Sequence, residues 1–199
     1  MYENIRLITA IVTPFTADDS IDYNALDSLI EHLLQHGTQG FVVAGTTGES
    51  PTLTHEEKLA LTTHIVEQVS GRALVIANAG SNNTKESVMA ARELSAIAGV
   101  DGILAVTPYY NKPSQAGMIA HFEAIADAAS KPVMLYNIPG RTVVGLTLDS
   151  VLKLAKHPNI NAIKETTSVD LIAAEVAGTT DFSVYTGEDA MALSAYVVG

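Results

Sequence analysis

The sequence predicts an α/β protein of the (β/α)₈-barrel type, with about seven β/α units present in the chain. Short runs rich in β-branched residues alternate with longer segments of helical period along all 199 residues. The strands are continuously apolar, which is typical of a parallel sheet covered by helices. Their starts recur roughly every 22–34 residues with no distinct second half, which favours a barrel over a doubly wound open sheet.

Seven strands and seven helices account for this pattern. The predicted strands are 6–12, 40–45, 73–78, 102–107, 132–137, 160–165 and 182–187. The predicted helices are 22–36, 54–70, 84–98, 114–129, 147–156, 168–177 and 188–198. Capping signals support three of the helix starts, since "THEE" at 54–57 is a capping box and "TLDS" (147–150) and "TKES" (84–87) are similar.

No linker or low-complexity stretch interrupts the series, so residues 1–199 are predicted to form a single barrel domain. The number of units is smaller than a closed barrel requires, because a barrel of this type takes roughly 250 residues. We therefore expect the domain to be incomplete at its C-terminus. Its first and seventh strands are then expected to be unpaired edges.

The composition is that of a folded protein that does not bind nucleic acid. Hydrophobic residues make up 47% of the chain and charged residues 17%, enough to bury one sizeable core. The formal charge of −11, from 22 acidic and 11 basic residues, disfavours contact with a phosphate backbone. Cysteine, a membrane-spanning apolar run and the basic region of a signal peptide are all absent from the sequence. These features predict a cytoplasmic protein that contacts neither nucleic acid nor membrane.

Lys164 stands out among the strand-end residues, which is where a barrel places its active site. It lies near the end of the apolar run "INAIKE", where an ammonium is costly to desolvate unless it is paired or loses its proton. Pairing with Glu165 is one alternative, and a side chain that reaches solvent is another. Because side chains alternate along a strand, Lys164 faces the barrel axis when Ile163 faces the helices, and Glu165 then faces away. The functional alternative is a neutral amine able to attack a ketone and form a Schiff base.

Tyrosines follow two other strands. The hydroxyl of Tyr136, after "VML", either completes a buried hydrogen-bond network or takes part in the chemistry. Tyr109 and Tyr110 are adjacent and must point in different directions. We expect one of them to pack at a subunit contact and the other to be functional.

Two strand-end loops are candidates for anion binding. "GTTGES" (45–50) offers successive amides and two hydroxyls that suit a carboxylate, although a tight turn before the next helix explains it equally well. Arg141, in "PGRT", has the planar fork that suits a substrate carboxylate, with a surface salt bridge as the alternative. The six histidines lack ligand spacing, so we expect no metal, and no pattern indicates a cofactor.

Four motifs together resemble one known family. "GTTGES", "VTPYYNKPSQ", "LYNIPGRT" and "AIKETT" occur in the order, and with about the spacing, of the dihydrodipicolinate synthase family. That family belongs with the pyruvate-dependent class I aldolases and N-acetylneuraminate lyases. The resemblance spans essentially the whole chain. It implies a (β/α)₈ barrel with a helical C-terminal region, assembled as a homodimer or homotetramer, and the eighth unit and helical region are expected to be absent from this chain.

The resemblance also implies a reaction, in which pyruvate and L-aspartate 4-semialdehyde condense to 4-hydroxy-tetrahydrodipicolinate on the way to lysine and diaminopimelate. No cofactor is implied. Lys164 resembles the lysine that forms the Schiff base, and Tyr136 resembles the acid/base at the imine carbon. Thr47 and Tyr110 resemble its proton-relay partners, with Tyr110 supplied across a dimer contact formed by the region of Tyr109 and Tyr110.

Substrate-binding positions are implied in the same way. The amides of Thr46 and Thr47 resemble the site for the pyruvate carboxylate. Arg141 resembles the site for the carboxylate of the second substrate, and Gly187, in "TGED", resembles the glycine that lines the pocket after the seventh strand.

A further group matches the lysine-inhibition site of lysine-sensitive relatives. Its members are Ser50, His55, Lys58, Asn82, Glu86 and Tyr109. Lys58 stands where sensitive enzymes commonly have histidine, and it would place a like charge beside the effector. We therefore expect weak sensitivity to lysine, or none.

Two other functions remain open at the level of sequence. Sialic-acid lyases and sugar-acid aldolases share the lysine and tyrosine, but they tend to lack the arginine of "PGRT", so Arg141 favours the synthase. The missing eighth unit supports a different alternative, a catalytically silent barrel fragment that binds a ligand or a complementing fragment.

Overall fold

Seven parallel strands form one sheet in the computed structural model, which describes residues 2 and 4–199. The strands are paired in chain order, β1-β2-β3-β4-β5-β6-β7. They are β1 (Ile8–Ala10), β2 (Gly40–Val43), β3 (Leu74–Asn78), β4 (Gly102–Val106), β5 (Val133–Asn137), β6 (Ile160–Glu165) and β7 (Ser183–Thr186). The seven predicted strands are therefore confirmed.

Helices follow every strand on the outside of the sheet. They are α1 (Tyr23–Gln35), α2 (His55–Val69), α3 (Thr84–Ala96), α4 (Gln115–Ala128), α5 (Pro139–Thr142), α6 (Leu148–Leu154), α7 (Val169–Gly178) and α8 (Ala192–Val198). Short 3₁₀ turns cover Ser50–Thr52 and Asp189–Met191. No helix in residues 2 and 4–199 has the length and apolar character that a membrane crossing requires.

Alternation along each strand divides the core into an outer and an inner part. On β2, Phe41 and Val43 are fully buried against α1 and α2. Val42 points to the other face, where it packs with Ile76 and Leu104 of the neighbouring strands. The inner face is thus a small apolar core enclosed by the curved sheet, and the predicted barrel architecture is confirmed.

The sheet does not close on itself within the described residues. β1 pairs with β2 and β7 pairs with β6, and they are not paired with each other. Tyr2 fills the end of the interior at the start of the strands, and it is 4% exposed. The hydroxyl of Tyr185 on β7 donates to the carbonyl oxygen of Ile5 at 2.9 Å, which links the N-terminal segment to the last strand.

Strand ends differ from the predicted boundaries for local reasons. β1 is three residues long because the amides of Arg6 and Leu7 donate to the side-chain oxygen of Gln39 instead of to a neighbouring strand. β2 ends at Val43 because Ala44 has a φ of 50°, outside the extended region.

The predicted caps are observed at two of three helices. At α2, Thr54 and Glu57 form the reciprocal capping box, and at α6 the hydroxyl of Thr147 accepts from the next turn. At α3 the cap is Asn83, whose side chain accepts from the amide of Lys85, so the assignment to "TKES" was one residue late. The hydroxyl of Thr84 is instead engaged with the ring of His121.

Two other segments were not predicted correctly. "PGRT" forms the short helix α5 rather than a loop, with Pro139 at its first position, where the missing amide hydrogen is not needed. The last predicted helix, 188–198, begins as the 3₁₀ turn Asp189–Met191 and becomes α-helical at Ala192.

Candidate active site

Lys164 lies at the carboxyl end of β6 and points into the barrel. It pairs in register with Tyr136 on β5, so the two side chains lie next to each other on the inner face. The Nζ atom of Lys164 is 4.5 Å from the centre of the Tyr136 ring. Glu165 points to the opposite face, where it is fully buried and accepts from the side-chain amide of Asn137 at 2.7 Å. The two charged neighbours are therefore not paired, as the alternation predicted.

The surroundings of Lys164 disfavour its charged form. None of the salt bridges within residues 2 and 4–199 involves this lysine. Burial lowers the pKa of Lys164, and the negative charge of Asp189 partly opposes that shift. A lowered pKa increases the fraction of free amine, which is the nucleophilic form.

Gly187 leaves space for the lysine. A Cβ atom built on Gly187 would lie 2.5 Å from Cε of Lys164 and 2.8 Å from Cγ2 of Thr166. Any side chain at position 187 would therefore occupy the volume that holds the end of the lysine.

Tyr136 is 5% exposed, and its phenol borders the same cavity as Lys164. Burial raises the pKa of Tyr136, while a hydrogen bond with Thr46 and the positive charge of Arg141 oppose the rise. Of the two adjacent threonines, Thr46 is the one whose side chain acts on the pKa of the phenol, and the relay role of Thr47 stays a prediction. Thr47 borders the cavity without that interaction.

The "GTTGES" segment is both a tight turn and an amide-lined wall. The amide of Ser50 donates to the carbonyl of Gly45, which closes the turn. The amides of Thr46 and Thr47 donate to no group within the described part of the chain, so they are available to an anion. The hydroxyl of Thr13, in the segment that follows β1, donates to the carbonyl of Gly48 at 2.8 Å and supports the turn.

Arg141 lies on α5 and is exposed at the mouth of the cavity. No ion pair within residues 2 and 4–199 includes it, which removes the surface salt bridge considered above. The open cavity has a volume of about 560 Å³ and brings most of the predicted site residues together. Its lining consists of Thr46, Thr47, Tyr136, Ile138, Gly140, Arg141, Lys164, Thr166, Gly187 and Glu188.

The side chains of the two adjacent tyrosines, Tyr109 and Tyr110, have different surroundings. Tyr110 has a φ of 70° and a side chain that is 86% exposed, so it does not reach the lysine of its own chain. Tyr109 borders a second cavity of about 410 Å³ that shares Thr46, Tyr136 and Arg141 with the first.

Most of the predicted effector residues lie around that second cavity and its neighbour. Ser50, Lys58, Glu86 and Tyr109 border the second cavity, and His55 borders an adjoining one of about 380 Å³ together with Lys58 and Glu86. Asn82 borders neither; its side-chain amide lies 3.4 Å from that of Asn111.

Reasoning from the sequence missed two acids next to Lys164. Glu188 borders the main cavity, and Asp189 acts on the pKa of the lysine. Both belong to "TGED", the segment in which only Gly187 was selected. The sequence did contain a signal for them, because two carboxylates directly follow a predicted barrel strand, where a barrel places its active site.

A curved parallel sheet that holds a partly buried lysine beside a buried tyrosine, both at the carboxyl ends of the strands, is the arrangement of a barrel lyase of the class I aldolase type. Comparison with known proteins narrows the class. The model of the dihydrodipicolinate synthetase family matches residues 3–199. The chain belongs to this family.

Individual relatives agree with that assignment. The 4-hydroxy-tetrahydrodipicolinate synthase of Leuconostoc mesenteroides is 75% identical over 199 residues, which cover 100% of this chain and 69% of the relative. The crystal structure of dihydrodipicolinate synthase from Bacillus anthracis has a TM-score of 0.96 and is 46% identical, covering 98% of this chain and 68% of that one. The enzyme from Cyanidioschyzon merolae, solved with lysine bound, has a TM-score of 0.93 at 46% identity, covering 98% of this chain and 67% of that one.

Proposed function

We propose that the chain is a 4-hydroxy-tetrahydrodipicolinate synthase in which Lys164 condenses with pyruvate and the resulting enamine attacks L-aspartate 4-semialdehyde. The observation that carries the proposal is the position of the Lys164 amine, partly buried at the end of β6 and 4.5 Å from the centre of the Tyr136 ring. Relatives that are up to 75% identical to the chain carry the name of this synthase, which supports the choice of substrates. A cytoplasmic location, suited to a biosynthetic enzyme, is part of the same proposal.

Imine formation is the first step. The neutral amine of Lys164 adds to the ketone carbon of pyruvate, and loss of water from the carbinolamine leaves an imine. The free amides of Thr46 and Thr47 hold the pyruvate carboxylate. The phenol of Tyr136 supplies the proton with which the carbinolamine hydroxyl leaves as water, with Thr46 as the first partner of its relay.

Carbon–carbon bond formation follows. The protonated imine accepts electrons from a C–H bond of the former methyl group, and loss of that proton gives an enamine. The enamine carbon attacks the aldehyde of the second substrate, whose oxygen takes a proton. The substrate's amino group then adds to the imine carbon, which closes the ring, and departure of the Lys164 amine from that carbon leaves a cyclic imine and restores the free lysine. Arg141 holds the carboxylate of the second substrate throughout, since it lines the cavity and forms no ion pair within the described residues.

A pyruvate-dependent aldolase with another acceptor is the second candidate. It would use the same lysine and tyrosine. Arg141 argues against it, because an unpaired guanidinium at the mouth of the cavity suits an acceptor with a carboxylate. Screening aldehydes in the presence of pyruvate, with and without a carboxylate, separates the two functions.

Assembly and regulation are part of the proposal. Tyr110, which is 86% exposed, would complete the proton relay of a neighbouring subunit in a homodimer or homotetramer. The cavity that holds Ser50, Lys58, Glu86 and Tyr109 would be the place at which lysine acts. We propose that inhibition there is weak, because the Lys58 ammonium faces any cationic effector.

Trapping of pyruvate tests the proposal directly. The protein is incubated with pyruvate and reduced with borohydride, and the adduct is located by peptide mass spectrometry, with Lys164→Arg as the control. We expect a reduced pyruvyl group on Lys164 and on no other lysine. A folded protein that forms no adduct, or forms it elsewhere, would refute the assignment.

A further inference from the structure

The pairing of β5 with β6 contains one extra residue. Val133 pairs with Ile160, and the next pair along the strands is Met134 with Ala162. Asn161 is therefore left out of the pairing with β5. Such a bulge shifts every later pair by one position. Because a shift by one residue carries each side chain to the other face of a sheet, the bulge decides which residues of β6 lie inside the barrel.

The shifted register is the one that assembles the proposed active site. In this register Tyr136 pairs with Lys164. If the pairing continued from Val133 and Ile160 without the extra residue, Tyr136 would lie opposite Ile163, and Lys164 would point outward to the helices. Main-chain groups are alike at every position, so contacts between side chains must select one register over the other.

A buried hydrogen bond lies one residue beyond the reacting pair. Asn137 pairs with Glu165, and the side-chain amide of Asn137 donates to the carboxylate of Glu165 at 2.7 Å. Both side chains are fully buried. The oxygen of the Asn137 side chain accepts from the backbone amide of Leu146 at 2.9 Å, which fixes the orientation of the group. A shift by one residue would point one of the two side chains to the inner face, so the bond forms in the observed register alone.

The carboxylate of Glu165 makes the loss of this bond costly. It accepts from the backbone amides of Thr166 and Thr167 at 2.8 and 2.9 Å, and Asn137 is its third donor. None of the ion pairs within residues 2 and 4–199 includes it. A buried carboxylate that loses a donor keeps the full cost of desolvation for the oxygen left unpaired. The pair therefore disfavours every other register.

We propose that Asn137 and Glu165 are positioning residues, whose buried hydrogen bond holds β5 and β6 in the register that brings the Lys164 amine beside the Tyr136 ring. The inference rests on the proposed function, because it concerns the reacting groups of that site. Neither positioning residue borders the cavity. The hydroxyl of Thr166 adds a second link between the strands, since it donates to the carbonyl of Asn137 at 3.0 Å.

Exchange of the donor and the acceptor tests the pair. Asn137→Asp turns a carboxylate oxygen toward Glu165 and can still accept from the amide of Leu146. Glu165→Gln places an NH₂ group against one of the three donors that the carboxylate accepts from. The double variant Asn137→Asp/Glu165→Gln has nearly the same shape as the wild-type pair, and it again places a donor opposite an acceptor.

The assay is the initial rate of borohydride-trapped adduct on Lys164 over a range of pyruvate concentrations. We expect each single variant to lower the rate at saturating pyruvate by roughly 10- to 100-fold, as for a reacting group displaced by about 1 Å. The pyruvate concentration at half-maximal rate should stay near the wild-type value, because the amides of Thr46 and Thr47 follow a different strand. We expect the double variant to return to within about threefold of the wild-type rate, since the two side chains act as a pair.

Asn159→Asp is the matched control, because it makes the same substitution just before the opposite end of β6. The side-chain amide of Asn159 donates to the carbonyls of Ala126, Ala129 and Lys131 at 2.9, 3.0 and 3.1 Å. Loss of these bonds should lower the midpoint of thermal unfolding and leave the rate of adduct formation unchanged. The control thus separates positioning of the lysine from a general loss of stability.

Three results overturn the inference. The first is a wild-type rate in both single variants, and the second is a folded double variant that is as slow as the single variants. The third is Asn159→Asp that is as slow as Asn137→Asp. If circular dichroism shows that the single variants are unfolded, the rate of the double variant decides.

Hydrogen exchange of the backbone amides in β5 and β6, followed by mass spectrometry, provides a test that does not depend on activity. Each single variant should exchange these amides roughly 10- to 100-fold faster, the equivalent of one lost hydrogen bond to a charged group, and the double variant should restore the wild-type rate. Equal exchange in all four proteins overturns the inference even if the adduct forms. A wild-type protein that forms no adduct, in a series that shows this loss and restoration, refutes only the proposed function.

Discussion

Substitution of Gly187 by alanine should disable the lysine without unfolding the barrel. The added Cβ would lie 2.5 Å from Cε of Lys164, 3.1 Å from its Cγ and 2.8 Å from Cγ2 of Thr166. The end of the lysine side chain is flexible, and the backbone of Gly187 donates to the carbonyl of Glu165 at 2.8 Å. The lysine is therefore the part of the site that moves.

The displacement can be worked out from the contact distance. Cε must retreat from 2.5 Å to an ordinary contact of 3.4 Å, a shift of about 0.9 Å that also displaces Nζ. A misplacement of about 1 Å at a reacting centre costs up to roughly 10²-fold in rate. We expect imine formation to slow by about 10- to 100-fold. Gly187 does not have a left-handed φ, so backbone strain adds nothing.

The assay is the initial rate of borohydride-trapped pyruvate adduct on Lys164, with thermal unfolding followed in parallel. Gly117→Ala is the matched control, because its Cβ would meet nothing closer than 3.5 Å and it lies on α4, away from the cavity. The control should keep the wild-type rate. If Gly187→Ala forms the adduct as fast as wild type, the packing of the lysine against position 187 does not control its reactivity, and the argument fails.

Four further predictions concern charge and proton transfer. The ascending limb of the pH profile for adduct formation should have an apparent pKa below 10.5, since burial lowers the pKa of Lys164; a limb at or above that value contradicts the lowered pKa. Tyr136→Phe should slow the condensation by roughly 10²- to 10⁴-fold in steady-state kinetics while circular dichroism stays unchanged, and a smaller loss would exclude the phenol as the acid/base. Arg141→Met should lower kcat/KM for aspartate semialdehyde by roughly 10- to 100-fold while the pyruvate adduct still forms, because a charged hydrogen bond is worth about 1.5–3 kcal/mol. Lys58→His should increase inhibition by lysine about fivefold or more, because one like charge at a half-exposed site is worth roughly 1 kcal/mol. Unchanged inhibition curves would show that Lys58 does not belong to the effector site.

The elements of the fold could be predicted because their signals are local. Continuous apolar runs mark strands that are buried on both faces, and the spacing between them leaves room for one helix each. Thr54 and Glu57 predict the start of α2, because their capping box is a pair of hydrogen bonds within only four residues. The same local reasoning misplaced the cap of α3, because two neighbouring residues, Asn83 and Thr84, both have capping side chains.

The direction of each strand-end side chain could also be predicted. Alternation placed Lys164 inside the barrel and Glu165 outside it, and both positions are observed. Alternation does not extend to turns. For that reason the sequence could not distinguish Thr46 from Thr47 as the neighbour of the Tyr136 phenol.

The sequence by itself determined that the chain alternates strands and helices, that its strand ends are polar and that Lys164 faces the interior, because each of these follows from residues that are close in the chain. Only the tertiary structure decided which groups surround those residues. Within the described residues Arg141 forms no ion pair, and Glu175 is fully buried with no hydrogen-bond partner for its carboxyl oxygens. Burial and partnership depend on which segments are brought together, and the pKa of a carboxyl or an amine is set by that environment rather than by its neighbours in sequence.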